Sequence, residues 1–397
     1  MIISFLPSCT HKVELENDQK EDKINKKAEP KDKIKEQIEE MTLEEKIGQM
    51  VLVGFHGDQL NDSIKEMIHT YHIGGFIFFQ RNIKNAPQTL DLLNTIKITN
   101  FKNKIPLFLS IDEEGGKVSR MPKEIRKFPT NKHIGNINNN NFSFELGKLL
   151  GFELKSFGFN MNFAPVLDIN SNPKNPVIGD RSFGDNKEIV KELGIQTMKG
   201  IKSQNVIPVV KHFPGHGDTS IDSHLGLPVV SHDLNRLKAF ELVPFSKAIK
   251  ENVDAIMISH ILFPKIDPKD PATLSKKIVT DLLRKHLNFN GVIITDDMEM
   301  GAILKHSDIG EAAVESIQAG SDMILVCHTY EKQLAVLDSL TKAVNSNKIS
   351  EERINNSVYR ILKLKEKYHI KDTSIKSIDV KDINKKINNI LNTYLDG

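Results

Sequence analysis

The sequence contains little cysteine, no tryptophan and no long apolar run. Its 397 residues include two cysteines, Cys9 and Cys327, which are too few for the disulfide framework of a small secreted domain. No stretch reaches the roughly 20 consecutive apolar residues that an α-helix needs to cross a bilayer. We therefore expect neither a disulfide-rich domain nor an integral membrane protein.

An excess of charge of one sign is also absent. The chain has 54 Lys and Arg against 52 Asp and Glu, which leaves a formal net charge of +2. Proteins that bind polyanions usually present a basic field, so we do not expect a nucleic-acid partner. The chain is 39% hydrophobic, which excludes a wholly disordered protein. Its length allows two or three domains, or one α/β barrel with attachments.

The first ten residues, MIISFLPSCT, are mostly apolar, reach Cys9 and precede a charged stretch. One interpretation is the end of a lipoprotein export signal, in which Cys9 is acylated and residues 1–35 form a disordered signal and tether. Against it, the apolar part is short and no basic residue precedes it. The other interpretation is a disordered N-terminus with an incidental cysteine. The first places the protein in the cell envelope, attached to a membrane through Cys9, and the second in the cytoplasm.

Regular patterns begin at a capping box in residues 42–45. Short apolar runs, rich in Val, Ile, Leu, Met and Phe, then alternate with segments of helical spacing. The runs cover residues 50–55, 75–79, 107–111, 160–165, 206–210, 255–259, 292–295 and 323–326. Continuous apolar runs predict strands that are buried on both faces, as in a parallel sheet covered by helices.

Eight such strands alternating with helices over about 330 residues predict an α/β protein with a (β/α)8 TIM-type barrel. We assign the barrel to residues 36–370, with helical extensions at both ends and a Lys/Asn-rich helical tail over residues 371–397. The predicted helices cover residues 62–71, 86–100, 144–157, 187–203, 234–251, 276–287, 312–319, 331–345 and 351–368. An open doubly wound sheet remains possible, because strand order cannot be read from the sequence.

Polar side chains follow most of the later strands, and in a (β/α)8 barrel those positions share one rim. They occupy residues 112–120, 165–184, 211–224, 260, 296–297 and 328. So many acids, bases and cations at one rim predict a functional site there.

The segment 211–224 is the densest part of this set and has three interpretations. It contains three His and two Asp in a glycine-rich loop. These groups suit a zinc or iron site, in which His212, His216, Asp218 and His224 serve a metal-dependent hydrolase. They also suit a loop that caps a strand through ordinary hydrogen bonds. The third interpretation is acid/base catalysis, in which Asp222 orients and charges His224.

The pair Asp296 and Asp297 follows the seventh strand and has two interpretations. Aspartates at strand ends commonly cap helices or form turns. An aspartate fixed at a barrel mouth is instead a nucleophile if nearby donors keep it ionised and a sugar carbon is presented to it.

Five sequence blocks carry a resemblance to a known family. The blocks read KHFPGHGDTSIDSH, IDEEGG with Arg120, GDRSFG, PATLS and ITDDMEM. In this order they resemble the β-N-acetylglucosaminidases of glycoside hydrolase family 3, over about residues 36–370. The resemblance implies a (β/α)8 barrel and removal of a terminal β-linked N-acetylglucosamine, typically from peptidoglycan fragments such as muropeptides.

The resemblance also implies roles for individual residues of this chain. Asp296 would be the nucleophile of a retaining reaction, with Asp297 ranked second. His224 would be the general acid/base, paired with Asp222. The remaining positions would bind the sugar: Asp112, Arg120, Arg181, Lys211 and His212.

Three further expectations concern cofactors, oligomeric state and loop movement. No metal or organic cofactor is needed, and we expect a monomer that binds a small carbohydrate. The loop that carries His224 is flanked by Gly215, Gly217 and Gly226, so we treat its movement over the bound sugar as a hypothesis. The alternatives are a phosphorolytic variant of the reaction, the metal-dependent hydrolase and a non-catalytic sugar-binding lipoprotein.

Overall fold

A computed structural model describes residues 1–8 and 32–395. Eight parallel strands close into a barrel in chain order, and the first strand pairs with both the second and the eighth. The closed barrel confirms the predicted fold class and excludes an open sheet. The strands are β1 (Val51–Val53), β2 (Gly75–Phe78), β3 (Phe108–Ile111), β4 (Met161–Asn162), β5 (Ile207–Phe213), β6 (Ala255–Ile258), β7 (Val292–Asp297) and β8 (Met323–Val326).

Each strand arises from one of the predicted apolar runs, because a strand buried on both faces needs apolar side chains in both directions. Strands β5 and β7 continue beyond their apolar runs. After a register shift, Phe213 pairs with Ile258, and Asp297 pairs with Leu325. The strand ladder therefore reaches polar residues at the carboxyl ends of β5 and β7, but only beyond an irregularity in its register.

The helices surround the barrel, and two of them begin and end at the predicted residues. These two are α4 (Ala86–Asn100) and α7 (Lys187–Ser203). The helices are α1 (Lys33–Glu40), α2 (Leu43–Gln49), α3 (Asp62–His69), α4 (Ala86–Asn100), α5 (Asn131–Ile137), α6 (Asn140–Phe157), α7 (Lys187–Ser203), α8 (Leu234–Ala239), α9 (Leu242–Lys250), α10 (Gly301–Leu304), α11 (Ile309–Ala319), α12 (Tyr330–Asn345), α13 (Glu351–Lys367) and α14 (Val380–Leu395), with a π-helical segment at Lys277–His286.

The single helix predicted over residues 234–251 is wrong, because the structure divides it into α8 and α9. Phe240 lies between the two with non-helical backbone angles. Pro244 is the third residue of α9. A proline there lies where the backbone N–H needs no partner within the helix, whereas in one continuous helix it would remove a hydrogen bond and clash with the preceding turn.

The N-terminal boundary also differs from the prediction. Asp32 caps α1 by accepting hydrogen bonds from the N–H groups of Ile34 and Lys35. Ile34 and Ile38 are buried, so this helix belongs to the folded body, whereas the sequence predicts that residues 33–35 belong to the tether. Cys9 lies outside the described residues. In the part of the chain that the structure describes, no helix is both long and apolar enough to cross a membrane.

The C-terminal helices pack on the outside and on the amino end of the barrel. Helix α14 lies within the predicted helical tail, and its Tyr394 stacks on Phe142 of α6 at 4.8 Å between ring centroids. Lys365 of α13 is buried, and its Nζ donates to Gln49 Oε1 and to the carbonyl oxygens of Gly74 and Pro106. These acceptors lie at or before the first residues of the strands, so Lys365 ties the closed amino end together.

Candidate active site

The carboxyl ends of the strands surround a cavity of about 360 Å³. In (β/α)8 enzymes this is the end of the barrel that carries the chemistry. All eight residues that the sequence singled out line the cavity: Asp112, Arg120, Arg181, Lys211, His212, Asp222, His224 and Asp296. The structure therefore brings the predicted residues together, while their individual roles stay predictions.

A cluster of four charged side chains forms one part of the cavity wall. Lys211 Nζ lies 2.6 Å from Asp112 Oδ1 and 2.8 Å from Glu114 Oε1. Arg181 donates two hydrogen bonds to Glu114, of 2.9 and 2.8 Å. Burial raises the pKa of Glu114, but Arg181 and Lys211 outweigh it and hold the pKa well below its usual range. The cluster therefore stays charged and offers strong hydrogen bonds to sugar hydroxyls.

Asp168 fixes the orientation of His212. The sequence predicts that Asp168 lies at the rim but assigns it no role. His212 Nδ1 lies 2.6 Å from Asp168 Oδ2, and the backbone N–H of His216 donates to Asp168 Oδ1 at 2.6 Å. Burial raises the pKa of Asp168, but attraction by His212 and His216 lowers it overall. Because Asp168 engages Nδ1, the Nε2 side of His212 faces Arg181, 3.5 Å away.

Asp296 lies near the carboxyl end of β7, partly exposed to the cavity. Its Oδ1 accepts a hydrogen bond of 2.8 Å from the N–H of Asp297. Burial raises the pKa of Asp296, but the nearby imidazoles of His212 and His260 outweigh it, so the pKa lies below its usual value. The carboxylate is therefore ionised at neutral pH, as a nucleophile must be.

Asp222 and His224 form a hydrogen-bonded dyad at the cavity mouth. His224 Nδ1 lies 2.7 Å from Asp222 Oδ1, which also accepts the backbone N–H of His224 at 2.9 Å. Burial raises the pKa of Asp222, but these two hydrogen bonds lower it overall. The His224 side chain is 65% exposed, and within residues 1–8 and 32–395 its Nε2 has no partner. The dyad therefore presents Nε2 to an incoming ligand.

The loop that carries the dyad is packed at one end and freer at the other. A Cβ on Gly217 would lie 1.7 Å from the carbonyl oxygen of Ile169, so this glycine is held by close backbone contact. Around Gly226 the nearest atom to such a Cβ is 4.0 Å away, on Ile221. At the dyad, Ala302 N–H donates to Ser223 O at 3.0 Å. Gly226 therefore has more room to turn than Gly217.

The other histidine of this segment has internal partners. His216 is buried, with Nδ1 2.9 Å from Thr219 Oγ1 and Nε2 3.1 Å from Ser223 Oγ. Burial, together with the neighbouring His212, lowers the pKa of His216 to about 4, so it is neutral at physiological pH. It therefore supports the loop through ordinary hydrogen bonds.

The groups proposed for a metal site are engaged elsewhere. His212 and His216 have the four-residue spacing of helical zinc ligands, but here they lie at a strand end and in the irregular loop that follows it. Asp218 pairs with His232, at 2.8 Å. In residues 1–8 and 32–395, no three His, Cys, Asp or Glu side chains are arranged to hold a metal ion.

The side chain of Arg120 has a buried nitrogen without a protein partner among the described residues. Its backbone N–H donates to Glu113 Oε2 at 2.9 Å, but its buried side-chain Nε has no hydrogen-bond partner among the described residues. Buried donors are rarely left unpaired. A ligand acceptor at this position would satisfy the Nε–H.

Several residues in the cavity wall or in contact with it were not among the predicted site residues. Glu114 and His328 line the cavity, whereas Asp168 and Arg81 do not line it but contact His212 and His328. The sequence predicts that Glu114 and Asp168 lie at the rim, because both follow apolar runs. Arg81 follows the second apolar run, but nothing in its neighbourhood indicates its partner at position 328.

The comparisons with known proteins place the chain in a family. Residues 42–364 match the N-terminal domain of glycosyl hydrolase family 3. The chain belongs to this family and is therefore a glycoside hydrolase.

Two curated relatives and one solved structure describe this relationship more closely. The beta-hexosaminidase A of Pseudoalteromonas piscicida is 37% identical over 78% of this chain and 56% of its own length. A beta-hexosaminidase of Nitrosomonas eutropha is 31% identical over 80% of this chain and 92% of its own. A family 3 beta-N-acetylglucosaminidase from Paenibacillus superposes with a TM-score of 0.84 at 42% identity, over 88% of this chain and 68% of that chain. The chain thus spans little more than half of the first relative.

Proposed function

We propose that this protein is a retaining, exo-acting β-N-acetylglucosaminidase. The observation that carries the proposal is that one cavity contains an ionised Asp296 and an accessible His224–Asp222 dyad. Retaining hydrolysis needs a nucleophile on one side of the anomeric carbon and a proton donor at the leaving oxygen. The curated relatives are beta-hexosaminidases, which supports this choice of sugar.

In the first step, an Asp296 carboxylate oxygen forms a bond to the anomeric carbon. The bond from that carbon to the leaving oxygen breaks, and the leaving oxygen takes the proton of His224 Nε2. Asp222 keeps Nδ1 occupied, which directs Nε2 toward the substrate and stabilises the imidazolium. The products are the free alcohol and a glycosyl ester on Asp296.

In the second step, the now neutral His224 Nε2 accepts a proton from water as the water oxygen bonds to the anomeric carbon. The bond to Asp296 breaks, and its electron pair returns to the carboxylate. Two displacements restore the β configuration of the sugar. Both groups end in their starting protonation states, so the cycle needs no further reactant.

The charged cluster around Lys211 supports binding of the sugar. Lys211 pairs with Asp112 and Glu114, Arg181 pairs with Glu114, and all four side chains line the cavity. Charged groups of both signs accept from and donate to hydroxyls, and their mutual pairing keeps them in place before the substrate arrives. We assign Asp112, Arg120, Arg181, Lys211 and His212 to the sugar and its acetamide.

The natural substrate and the location are proposed from the sequence. We infer a peptidoglycan fragment as substrate and the cell envelope as location, with the protein attached through an acylated Cys9 and acting as a monomer. A muropeptide assay tests the substrate, mass spectrometry of the natural N-terminus tests acylation, and sedimentation tests the oligomeric state. An unmodified Cys9 in a cytoplasmic fraction would favour the alternative location.

A phosphorolytic variant is the second candidate, and one feature of the dyad favours it. An imidazole does not repel an anionic acceptor, as a carboxylate acid/base would. Phosphate could then replace water in the second step and leave as the sugar 1-phosphate. Product analysis with and without phosphate separates the two reactions.

The direct test of the proposed function uses a nitrophenyl N-acetyl-β-glucosaminide. We expect release of nitrophenol that Asp296→Ala abolishes, whereas Asp185→Ala, at an exposed position outside the cavity wall, keeps it. A chelator should leave the rate unchanged, whereas loss of activity would favour the metal-dependent hydrolase. A folded wild-type protein that binds the sugar without turnover would indicate the non-catalytic lipoprotein.

A further inference from the structure

Three side chains on the β8 side of the cavity form a row that the proposed reaction does not use. Arg81 Nη1 lies 3.1 Å from His328 Nδ1, and His328 Nε2 lies 3.2 Å from Asp297 Oδ2. Asp297 is the residue next to the proposed nucleophile. Both Asp297 and His328 line the cavity.

The direction of the hydrogen bonds in this row follows from Arg81. A guanidinium only donates, so His328 Nδ1 must accept and the ring proton lies on Nε2, pointing at Asp297. Arg81 is itself held in place, because its Nε donates to Phe55 O at 2.8 Å and its Nη2 to Cys327 O at 2.7 Å. Its guanidinium also lies over the Phe79 ring, 4.4 Å from the centroid.

Asp297 connects this row to the nucleophile through its backbone. Its N–H donates to Asp296 Oδ1 at 2.8 Å, and its carbonyl oxygen accepts from His260 Nε2 at 2.9 Å. Its carboxylate Oδ1 also accepts the backbone N–H of Cys327 at 3.1 Å. A rotation of Asp297 would therefore move the only backbone donor that the described structure provides to the Asp296 carboxylate.

We propose that Arg81 and His328 are positioning residues that fix Asp297, so that the Asp297 N–H aims the Asp296 carboxylate at the anomeric carbon. This inference rests on the proposed function, because it takes Asp296 as the nucleophile. Small displacements of a reacting group reduce rates steeply; a misplacement of about 1 Å costs about 100-fold. The row is one chain of contacts, so breaking it at either end has the same consequence.

The test compares kcat and KM for wild type and four variants on a nitrophenyl N-acetyl-β-glucosaminide. His328→Leu and Arg81→Met break the row, and each should lower kcat by about 10- to 100-fold with KM within a factor of about three. Combining them should cost little more than either alone, since both changes break the same chain. His328→Gln offers a carbonyl to Arg81 and an N–H to Asp297, so it should recover most of kcat.

The matched control is His306→Leu, at an exposed histidine outside the cavity wall, which should keep the wild-type kcat. Thermal melting checks that each variant is folded. A rise in KM at constant kcat would overturn the inference, because it would make His328 a substrate contact. So would additive losses in the double variant, or a His328→Gln variant as slow as His328→Leu. An inactive wild type would overturn the proposed function and this inference together, whereas an active wild type with an unaffected His328→Leu overturns the inference alone.

Discussion

Replacing His224 by alanine removes the proposed general acid/base at little expected cost to the fold. The side chain is 65% exposed, and in the described structure its partner is Asp222. We therefore expect the free energy of unfolding to change by no more than about 0.5 kcal/mol. Any large loss of activity then reports on the chemistry.

The size of the loss should depend on the leaving group. General acid catalysis contributes about 100- to 10,000-fold, or about 2.7 to 5.4 kcal/mol of barrier. A sugar alcohol needs the proton of His224, so chitobiose should lose this full factor in kcat/KM. A dinitrophenolate leaves without a proton, so its kcat/KM should fall by less than about 10-fold.

The assay measures kcat/KM for chitobiose, a nitrophenyl glycoside and a dinitrophenyl glycoside, with His306→Ala as the control at an exposed position. For the dinitrophenyl substrate, added azide should raise kcat of His224→Ala, because azide needs no general base to attack the glycosyl ester. Equal losses for all three leaving groups would refute the assignment of His224. Loss of folded protein in His224→Ala would contradict the predicted stability.

Three further outcomes are expected. The pKa of Asp296 lies below the usual aspartate value, because the imidazoles of His212 and His260 outweigh the effect of burial. The carboxylate therefore stays ionised as the pH falls, and kcat/KM should decline only below about pH 4. A decline in kcat/KM that begins above pH 5 would contradict this. Lys365→Met leaves Gln49 Oε1 and the Pro106 carbonyl oxygen without a donor. It should lower the free energy of unfolding by about 2 kcal/mol in denaturant titrations, against about 0.5 kcal/mol or less for Lys363→Met at an exposed position. Arg120→Met removes the unpaired Nε donor, which we expect to bind the sugar. The inhibition constant of N-acetylglucosamine should therefore rise about 10-fold or more, whereas Arg126→Met, at an exposed position, should leave it unchanged.

The barrel could be predicted because its signal is local. Each strand is a short run of apolar residues, and burial on both faces of a parallel sheet makes that run continuous. Eight strands alternating with helices favour a closed barrel. Strand order is not a local signal, however, and only the structure excludes the open doubly wound sheet. The division of residues 234–251 into two helices depends on the backbone angles of Phe240, which apolar spacing does not report.

The site could be predicted in part for a related reason. Lys211, His212 and Asp296 lie on the carboxyl ends of strands, where a (β/α)8 barrel presents its functional side chains, and Asp222 and His224 are close in sequence. Contacts between distant loops leave no such local pattern. The pairing of Arg81 with a residue 247 positions later depends on how β2 and β8 flank β1 in the closed barrel.

The account depends most directly on a covalent bond between the sugar and Asp296. Incubating the protein with a fluorinated N-acetylglucosaminyl fluoride, which forms the glycosyl ester faster than it hydrolyses, should trap that ester. Mass spectrometry should then show one added sugar on the peptide that contains Asp296, and no adduct in Asp296→Ala. An adduct on another residue, or turnover that gives the inverted sugar without an adduct, would contradict the account.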